Sequence, residues 1–339
     1  RTRQLQPHSP TSLISKLAGT EYIPGTTAPR WEAFVSRVMA DDKSLINYLQ
    51  RLTGYLLTGL SHEQVLHFFF GDGANGKSVY VEVLLRLLAD YGNPMPSDLL
   101  MTRMAGSIPN DIAALRGQRA VFLNETTQGA SFDEAKLKEL SGGDTLSARF
   151  LNREYFSFKP THKLIIRGNH KPRISGSDEG IWRRLRLVPF KVTIPPEERD
   201  PQLLEKLTDE LPGVLNWALE GLQDWRRNGL NPPDSVLAAV REYRDESDTL
   251  GQFLDERCER GPGATIPASE LLEAYVAFCK SRHERPIPVK DLPGEMAKRG
   301  FLRRRTSRTR LYLGLQLRVD PALSDIVNSI GSLQPLISD

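Results

Sequence analysis

The feature that most constrains this chain is the octet Gly71-Asp72-Gly73-Ala74-Asn75-Gly76-Lys77-Ser78. It follows the apolar run Phe68-Phe69-Phe70 and opens an amphipathic stretch from Lys77 to Asp90. A strand ending in glycine, four residues, and then Gly-Lys-Ser opening a helix is the arrangement a nucleoside triphosphate site requires. The glycines let the loop bend so that its backbone N–H groups converge on phosphate oxygens. The helix N-terminus adds partial positive charge. Lys77 is then expected to reach the β and γ phosphates of ATP, and the Ser78 hydroxyl to coordinate Mg2+. A glycine-rich turn that binds nothing is the plain alternative, and Lys-Ser at the required offset weighs against it.

Such a site also needs an acidic group at the end of a neighbouring strand, to polarise attacking water or hold the metal. Arg119-Ala120-Val121-Phe122-Leu123 followed by Asn124-Glu125 supplies one. Glu125 is the candidate general base and, with Ser78, a candidate metal ligand. Asn124 stands where many such sites carry a second carboxylate, so metal contact there is expected to be neutral or water-mediated.

At 339 residues the chain exceeds what a single core usually serves, about 250 residues, so two or three units are expected. The stretch before the octet reads as helices over 12–17, 31–39 and 43–57, the last capped by Asp41 or Asp42. From Val65 short apolar strands over 65–70, 119–123 and 163–167 alternate with helices, the pattern of an α/β layer with a central sheet. Helical periodicity returns over 202–225, Asn231-Pro232-Pro233-Asp234 breaks it, and a further helix runs to about Asp245. Gly261-Pro262-Gly263 reads as a linker. Helices over 268–282 and 289–299 and a basic hairpin over 301–315 follow, in the order of a winged helix. The expected division is a helical region over 1–62, a core over 63–246, a winged helix over 247–320 and a tail over 321–339.

The hairpin carries Arg303, Arg304, Arg305, Arg308 and Arg310 within eight residues. Alternation along two strands would set some of these guanidinium groups on one face, suited to phosphates, with the helix over 289–299 as the element entering a major groove. A solvated basic hairpin is the alternative. The net charge of +3 does not by itself demand a polyanionic partner. Cys258 and Cys279 lack metal-site spacing, which suggests reduced thiols and a cytoplasmic setting. No apolar run approaches the ~20 residues that span a bilayer, so no membrane partner is expected. The chain starts without Met, as expected for a piece of a longer polypeptide.

Downstream of the octet come, in order, Leu140-Ser141-Gly142-Gly143-Asp144, Ala148-Arg149-Phe150-Leu151, Phe158-Lys159-Pro160, Leu164-Ile165-Ile166-Arg167-Gly168-Asn169, Gly180-Ile181-Trp182-Arg183-Arg184 and Val188-Pro189-Phe190. In this order they resemble the superfamily 3 helicases, of the phage, plasmid and poxvirus primase-helicase type. The likeness runs from about Ile23 to Leu315. It implies an α/β fold: a P-loop, AAA+-like ATPase core with a central parallel sheet, an N-terminal helical collar and a C-terminal winged-helix domain. It also implies a hexameric homo-oligomer that uses ATP and Mg2+ to travel 3′ to 5′ on single-stranded DNA and open forked DNA, and it leaves open whether a primase or polymerase domain lies upstream.

Residue roles follow from the same resemblance. Asn169 would be a polar sensor of the γ phosphate or attacking water. Arg183 or Arg184, with Arg184 preferred, would be a finger acting on the neighbouring subunit's ATP. The pattern between Thr145 and Leu164 suggests two strands joined at Leu151-Asn152-Arg153-Glu154; they resemble the family's hairpin that projects into a central channel, where Arg153, with Arg149 and Asn152, would touch DNA. Lys136 would line the nucleotide interface. Two other readings keep the ATP site: an origin-binding initiator or loader without processive unwinding, and a small-molecule kinase, against which the absence of an acceptor-site motif counts.

Overall fold

The computed structural model describes residues 6–102, 110–124, 129–174, 178–307 and 309–318. Glu125, Arg308 and the tail over 321–339 lie outside the described residues. The chain divides after Tyr243 into two compact units.

The expected helix over 12–17 does not form. A 3-10 turn at Pro10–Ser12 ends at Leu13, which is left-handed at φ 49° and 90% exposed. The first helix is α1 (Pro29–Val38), which Pro29 opens and which the carboxylate of Glu210 caps from far along the chain, accepting from the N–H groups of Arg30 and Trp31 at 2.9 and 3.0 Å. In α2 (Lys43–Leu56) the cap is local: Asp42 accepts from the N–H of Ser44 at 2.9 Å.

A parallel sheet follows, built from β1 (Leu66–Phe70), β2 (Gly92–Met95), β3 (Ala120–Leu123), β6 (Lys163–Gly168) and β7 (Leu185–Pro189), in the order β2-β3-β6-β1-β7. The strands read as apolar runs because both faces of such a sheet are covered. Alternate residues of β1 serve opposite faces, Phe69 one core and Leu66 and Phe68 the other. Two strands were not expected from the sequence. β2 is short and holds Pro94, which an edge position tolerates. β7 follows so closely on a helix that it shows no separate pattern.

The connections are α3 (Lys77–Leu88) after β1, α4 (Asn110–Ala113) before β3, α5 (Glu134–Ser141), an antiparallel hairpin of β4 (Leu146–Ala148) and β5 (Phe156–Phe158), and α6 (Glu179–Trp182) before β7. After the sheet come α7 (Leu203–Thr208), α8 (Leu211–Asn228) and α9 (Asp234–Ser247). The helical region ahead of the octet has no core of its own. Side chains of α1 and α2 join those of α3, α7 and α8 on one face of the sheet. Trp31 stacks on Tyr80 of α3 at 5.2 Å and meets Trp217 of α8 edge-on at 5.5 Å. α2 and α8 approach until a Cβ on Gly54 would lie 2.1 Å from the Leu222 nitrogen, and one on Gly221 2.0 Å from the Gln50 oxygen. Only glycine fits at that crossing.

The second unit runs α10 (Thr249–Arg257), β8 (Cys258–Pro267), α11 (Ala268–Ser281), α12 (Leu292–Lys298), β9 (Arg303–Arg305) and β10 (Arg310–Leu317). Its antiparallel sheet has the order β8-β10-β9. Leu250, Phe253, Leu271, Tyr275, Met296, Tyr312 and Leu315 fill its core. Gly261-Pro262-Gly263 is not a linker but the middle of β8, at a register shift where β10 pairs with residues on either side of it. α12 is shorter than the helix expected over 289–299, because Pro293 fixes its first turn. Both cysteines are free and buried, and burial pushes the Cys258 thiol up to about 11.

Candidate nucleotide site and nucleic-acid contacts

The octet bridges the carboxyl end of β1 and the start of α3, whose first residue is Lys77. Gly76 adopts φ 83°, and a Cβ there would lie 2.5 Å from Val38 Cγ1 and 3.1 Å from the Phe34 ring. Ala74 is also left-handed, at φ 58°. Asn75 is buried and braces the loop, its amide donating to the Phe190 carbonyl at 3.1 Å and to the Asp72 carbonyl. The Ala74 carbonyl accepts from the Ile194 N–H at 2.8 Å. Asp72, Gly73, Ala74 and Ser78 face solvent at the head of α3.

Lys77 is buried, 6% exposed. Its ammonium donates to the Gly71 carbonyl at 2.5 Å, to Asn75 Oδ1 at 3.0 Å and to Asn169 Oδ1 at 3.1 Å. Asn169 follows β6, and Gly168 pairs with Phe70, so the register of adjacent strands delivers Asn169 beside the octet. The segment after it is pinned by Tyr243, whose hydroxyl donates to the Pro172 carbonyl, and by Lys171 over the Phe70 and Tyr243 rings. Arg167, two residues earlier, donates to Asn124 Oδ1 at 3.2 Å and pairs with Glu82 of α3 at 3.7 Å. It thereby ties the ends of β3 and β6 to the helix that follows the octet. Sequence reasoning missed Arg167 and the bracing role of Asn75. Arg167 carried one usable signal, a charge directly after the buried apolar run Leu164-Ile165-Ile166.

Arg183 and Arg184 stand at the other end of the sheet. The Arg184 carbonyl accepts from the Leu66 N–H at 2.7 Å, and β7 starts one residue later. Arg183 is exposed, whereas Arg184 is half-buried and tied back to the Gly180 carbonyl at 2.6 Å. Lys136 lies on α5, half-buried, with its N–H on the capping carboxylate of Asp133 at 3.0 Å.

The β4–β5 hairpin turns through Phe150 to Arg153, closed by the Arg153 N–H on the Phe150 carbonyl at 3.0 Å, with Asn152 left-handed at φ 58°. Asn152 and Arg153 are exposed. So are Phe150, Leu151 and Tyr155, at 47, 56 and 63%, which sequence reasoning passed over. Phe150 stacks on Phe156 at 5.7 Å, and the Arg149 guanidinium sits 4.9 Å over the Tyr155 ring. The tip therefore offers π faces as well as cations. In the second unit, Arg303, Arg304, Arg305 and Arg310 are all exposed on the β9–β10 hairpin.

An all-parallel sheet with Gly-x4-Gly-Lys-Ser after a central strand defines an α/β protein built around a phosphate-loop motif. Residues 69–184 match DUF5906, a family of unknown function. The chain is 30% identical over 273 residues to "Putative helicase L207/L206" of Acanthamoeba polyphaga mimivirus, covering 74% of this chain and 28% of that protein. It is 27% identical over 267 residues to "Putative helicase 022R" of Frog virus 3, covering 73% and 27%. It is 24% identical over 282 residues to "Putative primase C962R" of African swine fever virus (strain Badajoz 1971 Vero-adapted), covering 76% and 29%. The chain thus spans under a third of the length of these relatives. Among solved structures, its fold is similar to the A-form apo structure of the NrS-1 C-terminal region, with a TM-score of 0.53 at 11% identity, covering 87% of this chain and 79% of that one.

Proposed function

We propose that this chain is the motor of a DNA helicase of the superfamily 3 type it resembles, binding ATP at Gly71–Ser78 and coupling its hydrolysis to movement along single-stranded DNA. The observation that carries the reading is the contact between Lys77 Nζ and Asn169 Oδ1, which unites two residues 92 positions apart at the mouth of the octet. The named similarity to viral helicases and primases supports it.

In this reading Lys77 exchanges its carbonyl and amide acceptors for β and γ phosphate oxygens, and N–H groups at the head of α3 hold the same oxygens. The Ser78 hydroxyl and Glu125 would hold Mg2+, which would supply positive charge against the phosphates. Asn169 orients the attacking water and Glu125 takes its proton. Arg183 and Arg184, at the end of the sheet opposite their own Lys77, act on the ATP of a neighbouring subunit, which a ring such as a hexamer provides. Tyr155, Phe150, Arg149, Asn152 and Arg153 grip the strand at the β4–β5 hairpin. The second unit, in this reading a winged helix, adds a further DNA contact through its arginines, Arg308 included.

A forked-duplex unwinding assay with ATP and Mg2+ tests this. Unwinding that Lys77→Ala abolishes is the expected result. DNA-stimulated ATP turnover without unwinding would favour an initiator or loader, and turnover indifferent to DNA would favour a phosphotransferase.

A further inference from the structure

We infer that the second unit holds nucleic acid by the β9–β10 hairpin, through phosphates and without reading sequence, and that α12 does not enter a groove to read bases. The inference rests on the DNA-motor reading and names how one part of it makes contact.

Two sets of observations carry it. The first concerns α12. Its cations are engaged within the unit: Lys298 pairs with Glu295 at 2.7 Å, and Arg299, just past the helix, pairs with Glu295 at 3.0 Å and Asp248 at 2.6 Å. The other exposed positions of the helix are Gly294 and Ala297. Reading a base edge takes a donor or acceptor that reaches into the groove, typically Arg, Lys, Asn or Gln. A two-turn helix with Pro293 and Gly294 in its first turn presents none that is unpaired at those two positions.

The hairpin is the reverse case. Arg305 of β9 lies directly opposite Arg310 of β10, and Arg304 is opposite Leu311. Like charges facing each other across a strand pair are destabilising. Among the described residues no carboxylate pairs with Arg304, Arg305 or Arg310. Next to them the Thr306 N–H and hydroxyl donate to the Thr309 carbonyl at 2.8 and 2.9 Å, and the Thr309 N–H donates to Thr306 Oγ1 at 3.0 Å. Uncompensated cations held on paired strands match a polyanion backbone. Contacts of that kind position a protein on DNA and carry no sequence information. A motor that must pass any sequence is served by such a contact.

The test is binding of the full chain to two duplexes of unrelated sequence across a salt series. We expect the Arg304→Ala/Arg305→Ala/Arg310→Ala variant to lose at least about tenfold in affinity for both duplexes equally. The slope of log affinity against log salt should fall by about 2 to 3, three phosphate contacts at roughly 0.9 each. Ala297→Leu, which adds bulk to the exposed face of α12, should leave both affinities within about twofold. Unequal loss between the duplexes for Ala297→Leu, or an unchanged slope for the arginine variant while the wild type binds, would overturn the inference and leave the motor reading standing. A wild-type chain that binds neither duplexes nor single strands would sink both.

Discussion

The Leu66 amide and the Arg184 carbonyl share a 2.7 Å hydrogen bond at the amino end of β1, while Lys77 stands beyond its carboxyl end. Five residues of strand, about 16 Å at roughly 3.3 Å each, separate the two levels. The arginine pair and the octet of one chain therefore sit at opposite ends of the same sheet. Arg183→Ala and Arg184→Ala are each expected to spare ATP binding, and the one that supplies the finger should lower turnover by about 10³-fold. Mixing that variant with Lys77→Ala subunits should restore part of the activity. Absence of any rescue in the mixture, measured as ATP hydrolysis, would argue against action in trans.

Lys77→Ala removes the ammonium that joins Gly71, Asn75 and Asn169. ATP turnover should fall by at least about 10²-fold, the usual cost of one preorganised charge-stabilising group. Turnover within a few-fold of wild type would sink the nucleotide-site reading.

Tyr155→Ala should weaken single-stranded DNA binding by about 1–3 kcal/mol, the usual worth of one base stacked on an aromatic ring. Basal ATP turnover without DNA should not change, because the ring is exposed on the β4–β5 hairpin. Fluorescence anisotropy with a short oligothymidine measures the first quantity and a phosphate-release assay the second. Unaltered oligothymidine binding would remove the aromatic tip from the strand path.

Gly54→Ala would push a methyl group to 2.1 Å from the Leu222 nitrogen in α8. The helices must separate, at a cost of about 3 kcal/mol or more. A urea melt should show a lower midpoint, and an unchanged one would mean the α2–α8 crossing is looser than the structure has it.

His67 is buried in β1, its Nε2 2.9 Å from the Tyr48 hydroxyl, and burial, with Arg186 adding to it, lowers its pKa to about 3. The folded state thus keeps the ring neutral, while the unfolded chain takes up a proton near pH 6.5. The unfolded state binds more protons below that pH, so stability is fully present above about 6.5 and declines toward pH 3, at up to about 1.4 kcal/mol per unit. Urea midpoints between pH 7 and pH 4 should fall less steeply for His67→Gln than for wild type. Equal slopes would show that another group carries the acid sensitivity. His162, lowered to about 4 mainly by burial, adds a term of the same sign.

What the sequence by itself determined was local. A loop of fixed spacing, an apolar strand ahead of it and a capped helix are set by residues within a few positions of one another, so the octet, β1, β3, β6, α2 and the β4–β5 hairpin could be read directly. The sheet order, the unexpected edge strand β2 and the incorporation of Gly261-Pro262-Gly263 into β8 could not, because each depends on which distant segment pairs with it. The site divides in the same way. Lys77 is visible in its motif, but its neighbour Asn169 is 92 residues away and arrives only through the β1–β6 register. Arg167 and Asn75 act through long-range partners and leave only a faint trace in the order of residues. The tertiary structure alone decided that Arg183 and Arg184 stand at the far end of the sheet, because strand direction is a property of the assembled layer and not of the run Trp182-Arg183-Arg184 that begins it.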